Sequence, residues 1–246
     1  MGFGDDLMLS AEARAIRQAL DIPSTPTYWS EIFDHNPNFV KEGGFPLTRN
    51  RIGHRPYHLG CVKTQYGNKF LFNPHFKAVP GEIYGLETFD YFGPDHEPGF
   101  VVVEPHYKPD IFGTNKDWGW SNYQAVAEEL GAFNTIVQVG PPGTKELGDV
   151  TFIETDTFRH ALYWLQAAAL YIGPEGGLHH AAAALGIPAV VIFGGHTNPK
   201  TTGYDMHVNL ASDDAGCGNM FPCDHCRRAM DNITVEQVVE AAESLL

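Results

Sequence analysis

The sequence predicts an α/β protein whose second half is a doubly wound parallel sheet, preceded by a small, irregular first half. Three observations carry this expectation. After "GPDHEPG", which ends near residue 99, short apolar runs alternate with runs of helical period up to the C-terminus. Before that point the alternation is missing, and Pro, Gly, Asn and aromatic residues interrupt every run beyond the first twenty positions. The composition, 43% hydrophobic and 19% charged over 246 residues, supplies a sizeable globular core. The expected division is therefore a 1–98 region and a 99–246 region.

Each element follows from its local pattern. "LMLSAEARAIRQAL" (7–20) reads as an amphipathic helix, with Leu7, Ala11, Ile16 and Leu20 on one side and Glu12, Arg14 and Arg17 elsewhere. Short strands are expected at 57–62 and 69–73. "FVVVEP" (100–105) is a buried strand, and "SNYQAVAEEL" (121–130) a helix that Ser121 can cap. "NTIVQVG" (134–140) and "LYIG" (170–173) are strands that flank the helix "TFRHALYWLQAAA" (157–169). The helix "GLHHAAAALG", the strand "AVVIFG" (189–194) and an N-capped helix, "TVEQVVEAAESLL" (234–246), complete the alternation. Ligands of such sheets bind outside the carboxyl ends of the strands.

The formal charge of −14 argues against indiscriminate polyanion binding, but it is unevenly spread. Between residues 41 and 77, Lys41, Arg49, Arg51, Arg55, Lys63, Lys69 and Lys77 face only Glu42, a local charge of +6 that leaves −20 on the remainder. His54, Tyr57, Phe70 and Phe72 are interleaved with them. That mixture suits a phosphate-bearing partner with stackable groups, and equally a solvated face over core aromatics. The N-terminus lacks the features of a signal peptide, and no apolar run reaches the roughly 18 residues of a spanning helix. A cytoplasmic location is expected.

Chemistry concentrates in "GPEGGLHHAAAALGIP" (173–188). Gly176 and Gly177 open a helix without Cβ atoms, so a ligand can approach the first free N–H groups, where the helix dipole favours a phosphate or diphosphate. Glu175 suits sugar or ribose hydroxyls, which donate to carboxylates. His180 can donate to phosphate or to a departing oxygen. A tight strand-to-helix turn with a packed histidine is the plainer alternative.

A longer pattern joins this stretch to the rest. Lys116, Trp118 and Tyr123 in "KDWGWSNY", then Glu175, Gly177, His180, Ala182, Ala184, Gly186 and Pro188, then "VVIFGGHTNP" with Thr197, resemble family 9 glycosyltransferases. These heptosyltransferase-like enzymes have the GT-B fold, with K-x-W-P-x-x-x-(W/F/Y) followed by D-(S/T)-G-x-x-H-x-A-x-A-L-G-x-P. The resemblance covers about residues 100–246. It implies a nucleotide-sugar domain at 99–246 and, before it, an abbreviated acceptor domain. Two positions depart: the family's aspartate is Glu175 here, and its Ser/Thr is Gly176, which together reshape the donor-sugar pocket. At the N-terminus, Gly2-Phe3-Gly4-Asp5-Asp6-Leu7 falls on the family's G-x-G-D-x-L without the strand that precedes it there.

The resemblance implies inverting transfer from a nucleotide-diphosphate sugar. Asp5 is the expected base and Asp6 the alternative, with His180 assisting; both aspartates could instead cap their helix. Lys116, Glu175, Gly176, Gly177, His180 and Thr197 are the expected donor contacts, and Arg49, Arg51 and Arg55 the expected acceptor contacts. No D-x-D motif is present, consistent with metal-independent transfer. The acceptor expected is a phosphorylated saccharide of the lipopolysaccharide-core type. The alternatives are hydroxymethylated bases of phage DNA, or a noncatalytic nucleotide-sugar-binding module. Finally, Cys217, Cys223 and Cys226 form a C-x5-C-x2-C series. A structural zinc or iron would need a fourth ligand, for which His225 and His207 are candidates; reduced thiols are the other reading.

Overall fold

A computed structural model of the chain describes residues 2–47, 77–86, 99–106, 113–212, 216–217, 219 and 221–246. The expected strands at 57–62 and 69–73 lie outside the described residues, as do Arg49, Arg51 and Arg55. Helix α1 (Phe3–Leu20) is followed by a small parallel pair, β1 (Ser24–Pro26) and β2 (Phe45–Leu47). Six further strands form one sheet: β3 (Val101–Val103), β4 (Ile136–Gly140), β5 (Thr151–Glu154), β6 (Leu170–Pro174), β7 (Ala189–Ile192) and β8 (Val208–Leu210). Their order is β5-β4-β3-β6-β7-β8, and every pairing is parallel. The connecting helices are α2 (Trp120–Gly131), α3 (Phe158–Gln166), α4 (Gly177–Leu185), α5 (Pro199–Thr202), α6 (Asp224–Asp231) and α7 (Val235–Glu243).

The two-residue period of the strands sorts the core. Val102, Val137, Tyr171 and Val191 face one layer with α3, α4 and α1. Val101, Val103, Ile172, Val190 and Ile192 face the other, with α2, α6 and α7. The sequence pattern located most of these elements but missed β5 and β8, whose residues are only partly buried, and the short polar helix α6. Ser121 does not cap α2. The helix starts one residue earlier, Gly119 is the N-cap, and Ser121 is an exposed residue of the first turn. The Thr234 hydroxyl does cap α7, in a reciprocal capping box with Gln237.

Helix α1 is not simply amphipathic. Residues Leu7 through Ala13 are buried all round, whereas Leu20 is exposed. The reason is tertiary: α1 lies on α4 on one side and carries β1 and the 3-10 turn Glu31–Phe33 on the other. Full burial of Leu7 and Leu9 stabilises this docking by about 1.5–3 kcal/mol each. Four alanines, Ala181 to Ala184, keep α4 slim enough to be covered by both the sheet and α1. Polar ties reinforce the contact. Glu31 accepts from the backbone N–H groups of Phe158 and Arg159, satisfying the open end of α3. The buried Glu82 pairs with Arg14. Among the described residues, no helix is long and apolar enough to cross a membrane.

Candidate functional site

Strand order reverses between β3 and β6, since β4 and β5 lie to one side and β7 and β8 to the other. A crevice at this switch point is where a doubly wound sheet receives its ligand. The residues at these two strand ends are Glu104, just past β3, and Glu175, just past β6. Across the crevice stand Lys116, from the 3-10 turn Gly113–Lys116, and the N-terminus of α4.

Glu175 is enclosed, and the Lys116 ammonium meets both its carboxylate and, at 3.2 Å, its backbone oxygen. The two side chains are 3% and 14% exposed, so the pair is shielded from solvent screening. Burial pushes the Glu175 carboxyl up, but Lys116 and the neighbouring imidazoles outweigh it and hold the group well below the usual carboxylate range. His180 Nε2 lies 3.6 Å from Glu175 Oε1, longer than a normal hydrogen bond, and neither buried atom has a hydrogen-bond partner among the described residues. A hydroxyl placed between them would receive from the imidazole and donate to the carboxylate.

The two glycines differ: a Cβ on Gly177 would lie 3.5 Å from the Phe158 ring and 3.7 Å from the Gly4 nitrogen, so that direction is already filled by the protein. A Cβ on Gly176 would meet nothing nearer than the Pro174 oxygen at 3.9 Å, so the space before the helix end is open. At Gly4, by contrast, a Cβ would strike His180 Cδ2 at 2.7 Å and approach Gly177 Cα at 3.7 Å. Bare backbone at Gly4 lets the start of α1 reach the mouth of α4, bringing Asp5 into the first helical turn beside it. Asp6 is buried and accepts hydrogen bonds from Tyr28 and, at 2.8 Å, from Ser30. Both its oxygens organise the loop after α1, which leaves Asp5 as the more accessible carboxylate. Neither aspartate is the N-cap of α1, which is Gly2. Thr197 is buried in the loop after β7, on the same carboxyl edge of the sheet.

Trp118 and Tyr123, from the same motif as Lys116, serve the scaffold. They pack edge to face at 5.0 Å, and the indole N–H donates to the Ile233 oxygen at 2.8 Å. Asn115, beside Lys116, gives its amide to the Asn219 and Phe221 oxygens and accepts from the Cys223 N–H. The cysteine loop thus braces the turn that presents Lys116.

In that loop, Cys217 Sγ lies 3.3 Å from Cys226 Sγ and 3.9 Å from Cys223 Sγ. A tetrahedron with metal–sulfur bonds of about 2.3 Å has edges of about 3.8 Å, so the three sulfurs stand close to the spacing of a metal site. The ligand atoms of Cys217, Cys226 and His225 all lie within 4.8 Å of one another, and Cys223 is outside that set. The hydrogen bond shared by the two sulfurs lowers the Cys217 thiol and raises that of Cys226. His207 is elsewhere: its Nε2 faces the Ile187 oxygen at 3.2 Å and its ring packs on His179 and Tyr204. His225 is therefore the fourth candidate ligand.

Sequence reasoning missed Glu104 and Tyr204. Glu104 ends the buried run Val101–Val103, and an acidic residue at the carboxyl end of an apolar strand was the available signal. Its Oε2 accepts from the Tyr171 hydroxyl at 2.9 Å. Burial pushes its carboxyl up to about 7, against the opposing pull of that hydrogen bond. The unfolded carboxyl, near 4.5, releases its proton first, so stability falls as pH rises from about 4.5 through 7. Glu104→Gln should therefore stabilise the protein at pH 8 by at most about 3 kcal/mol and change little at pH 4.5. Urea unfolding at the two pH values checks this, and equal effects at both would refute it.

The model of glycosyltransferase family 9 (heptosyltransferase) matches residues 99–234. Among solved structures, the Escherichia coli ADP-heptose lipopolysaccharide heptosyltransferase II aligns over 100% of this chain and 96% of its own, with a TM-score of 0.60 and 16% identity. The E. coli heptosyltransferase WaaC, solved with ADP, aligns over 100% and 98%, with a TM-score of 0.57 and 13% identity. The iron-containing dodecameric glycosyltransferase TibC of enterotoxigenic E. coli aligns over 62% of this chain and 46% of its own, at 19% identity and a TM-score of 0.48. This chain thus spans under half of TibC's length. At these identities the likenesses bear on the fold alone. No curated protein matches the sequence.

Proposed function

Because the chain belongs to glycosyltransferase family 9, the heptosyltransferase family, we propose that it transfers a sugar, with inversion, from a nucleotide-diphosphate donor to a hydroxyl of a polyanionic acceptor. The observation that carries the donor half is the unmet pair Glu175 Oε1 and His180 Nε2, beside Lys116 and the open end of α4. A carboxylate and an imidazole fit sugar hydroxyls. The ammonium and the helix N–H groups fit a diphosphate. The solution of WaaC with ADP supports a nucleotide diphosphate as the ligand class.

In this reading Asp5 takes the proton of the acceptor hydroxyl while its oxygen attacks the anomeric carbon from the face opposite the diphosphate. The bond to the diphosphate oxygen breaks, and its electron pair leaves with the diphosphate. Lys116 and the first N–H groups of α4 stabilise that developing charge. His180 donates a hydrogen bond at the same end of the crevice, and Thr197 borders it. The division of labour is 99–246 for the donor and 1–98 for the acceptor.

The acceptor reading rests on the +6 segment between residues 41 and 77. A phosphorylated core-type saccharide is favoured because the family model that matches is that of heptosyltransferases. Hydroxymethylated DNA bases are the second reading, favoured by the aromatic residues interleaved with that charge. Transfer from ADP-heptose and other nucleotide sugars should be assayed to a phosphorylated core oligosaccharide and to hydroxymethylated duplex DNA, across a salt series. Replacing Arg49, Arg51 and Arg55 by Ser should raise the acceptor KM and flatten its salt dependence, leaving donor affinity unchanged. Salt-insensitive transfer to a neutral sugar would overturn both acceptor readings, and donor binding without any transfer would favour a binding module.

The sulfur spacing supports a bound zinc or iron at Cys217, Cys223, Cys226 and His225. Four protein ligands would close the coordination sphere, and such a centre supplies structural stability. Here it would fix the loop that braces Asn115 and hence Lys116. Purified protein should contain about one metal ion per chain. Chelation should lower Tm by about 2–4 °C for every kcal/mol of binding energy removed. Metal-free protein with an unchanged Tm would exclude the centre.

A further inference from the structure

We infer that Tyr204 is a positioning residue that fixes the tautomer of His180, so that the imidazole presents its Nε2–H to the diphosphate end of the donor. The inference rests on the donor reading above for the ligand and on the geometry for the tautomer. Tyr204, in the segment between α5 and β8, is buried, and its hydroxyl lies 2.7 Å from His180 Nδ1. The phenol proton has one acceptor among the described residues, His180 Nδ1, and buried hydroxyls rarely leave a proton unbonded. Nδ1 is therefore the accepting nitrogen, and the ring proton belongs on Nε2.

That proton points where the chemistry is. Nε2 is buried, has no hydrogen-bond partner among the described residues and lies 3.6 Å from Glu175 Oε1 at the mouth of α4. A flipped tautomer would bring two lone pairs, of Nε2 and of the carboxylate, to the same spot and repel an anionic ligand. The surroundings hold Tyr204 in place. Lys77 donates to the Gly203 oxygen and sits 5.8 Å over the phenol ring, and the His179 ring meets the phenol edge to face at 5.1 Å. Gly4 packs against the other side of the His180 ring. The imidazole is thus clamped between α1 and Tyr204, with one free direction for its N–H.

The full-length chain labelled with 15N-histidine tests this, with the His180 signals assigned from their loss in His180→Gln. The wild-type protein should show His180 as the Nε2–H tautomer, and added ADP should shift that resonance. In Tyr204→Phe the tautomers should mix, and ADP affinity should fall about three- to tenfold, as expected for one hydrogen bond. A wild-type Nδ1–H tautomer, or an Nε2–H tautomer unmoved by Tyr204→Phe, overturns the assignment. The wild-type spectrum decides the tautomer even where Tyr204→Phe folds poorly. If ADP leaves His180 unperturbed while the tautomer responds to Tyr204→Phe, the positioning contact stands and the donor reading falls.

Discussion

Lys116→Ala should lose both turnover and stability, and the two losses should be separable. A charge-assisted contact to a phosphate is worth about 1.5–3 kcal/mol, so turnover should fall about 10- to 100-fold. The structure adds a second cost, because Lys116 also neutralises the enclosed Glu175. Removing one partner of a buried pair leaves an uncompensated charge and typically costs 3–5 kcal/mol, which corresponds to a Tm lowered by about 6–20 °C. The double variant Lys116→Ala/Glu175→Gln removes the stranded charge. It should recover most of the stability and none of the turnover. A single variant with wild-type Tm and turnover would refute the role of Lys116 in both respects.

Gly176→Val makes the complementary test, a large loss of donor binding in a protein that still folds. The backbone at Gly176 is extended, with φ 171°, a conformation open to any residue. Its Cβ direction leads into open space before the helix. The valine therefore does not disturb the core. Its methyl groups occupy the approach to the first N–H groups of α4. At about 1–3 kcal/mol for such an intrusion, donor affinity should fall about 5- to 150-fold with little change in Tm. Gly176→Ser, which restores the residue type the family carries there, should bind donor far better than the valine variant. Titration calorimetry with ADP reads both, and unchanged affinity in Gly176→Val would move the diphosphate away from the helix mouth.

Legibility in the sequence followed the range of the interaction concerned. Strands β3, β4, β6 and β7 are buried on both faces, so each appears as an apolar run, broken in β4 only by Gln138, and could be placed without a structure. Strands β5 and β8 lie at the sheet edges and keep partly exposed residues, so their runs resemble loop. The N-cap of α7 was readable because Thr234 and the N–H it caps lie within four residues. The start of α2 was misplaced because Gly119, with no side chain to signal it, is the cap.

The same distinction divides the site. The sequence by itself determined the strand-to-helix turn with Glu175, Gly176, Gly177 and His180, the Lys116 motif and the cysteine spacing, because each is a local pattern of residue types. Tertiary structure alone decided that Lys116 neutralises Glu175 across 59 residues. It also showed that Asp6 accepts from Tyr28 and Ser30, and that His225 rather than His207 joins Cys217 and Cys226. Glu104 and Tyr204 entered only when the folded chain set them against Tyr171 and His180. The physical reason is that charge pairing, desolvation and tautomer choice depend on which groups share a low-dielectric enclosure. Sequence neighbours do not reveal that enclosure; it exists only once the sheet has brought the ends of β3 and β6 side by side and α1 has closed over α4.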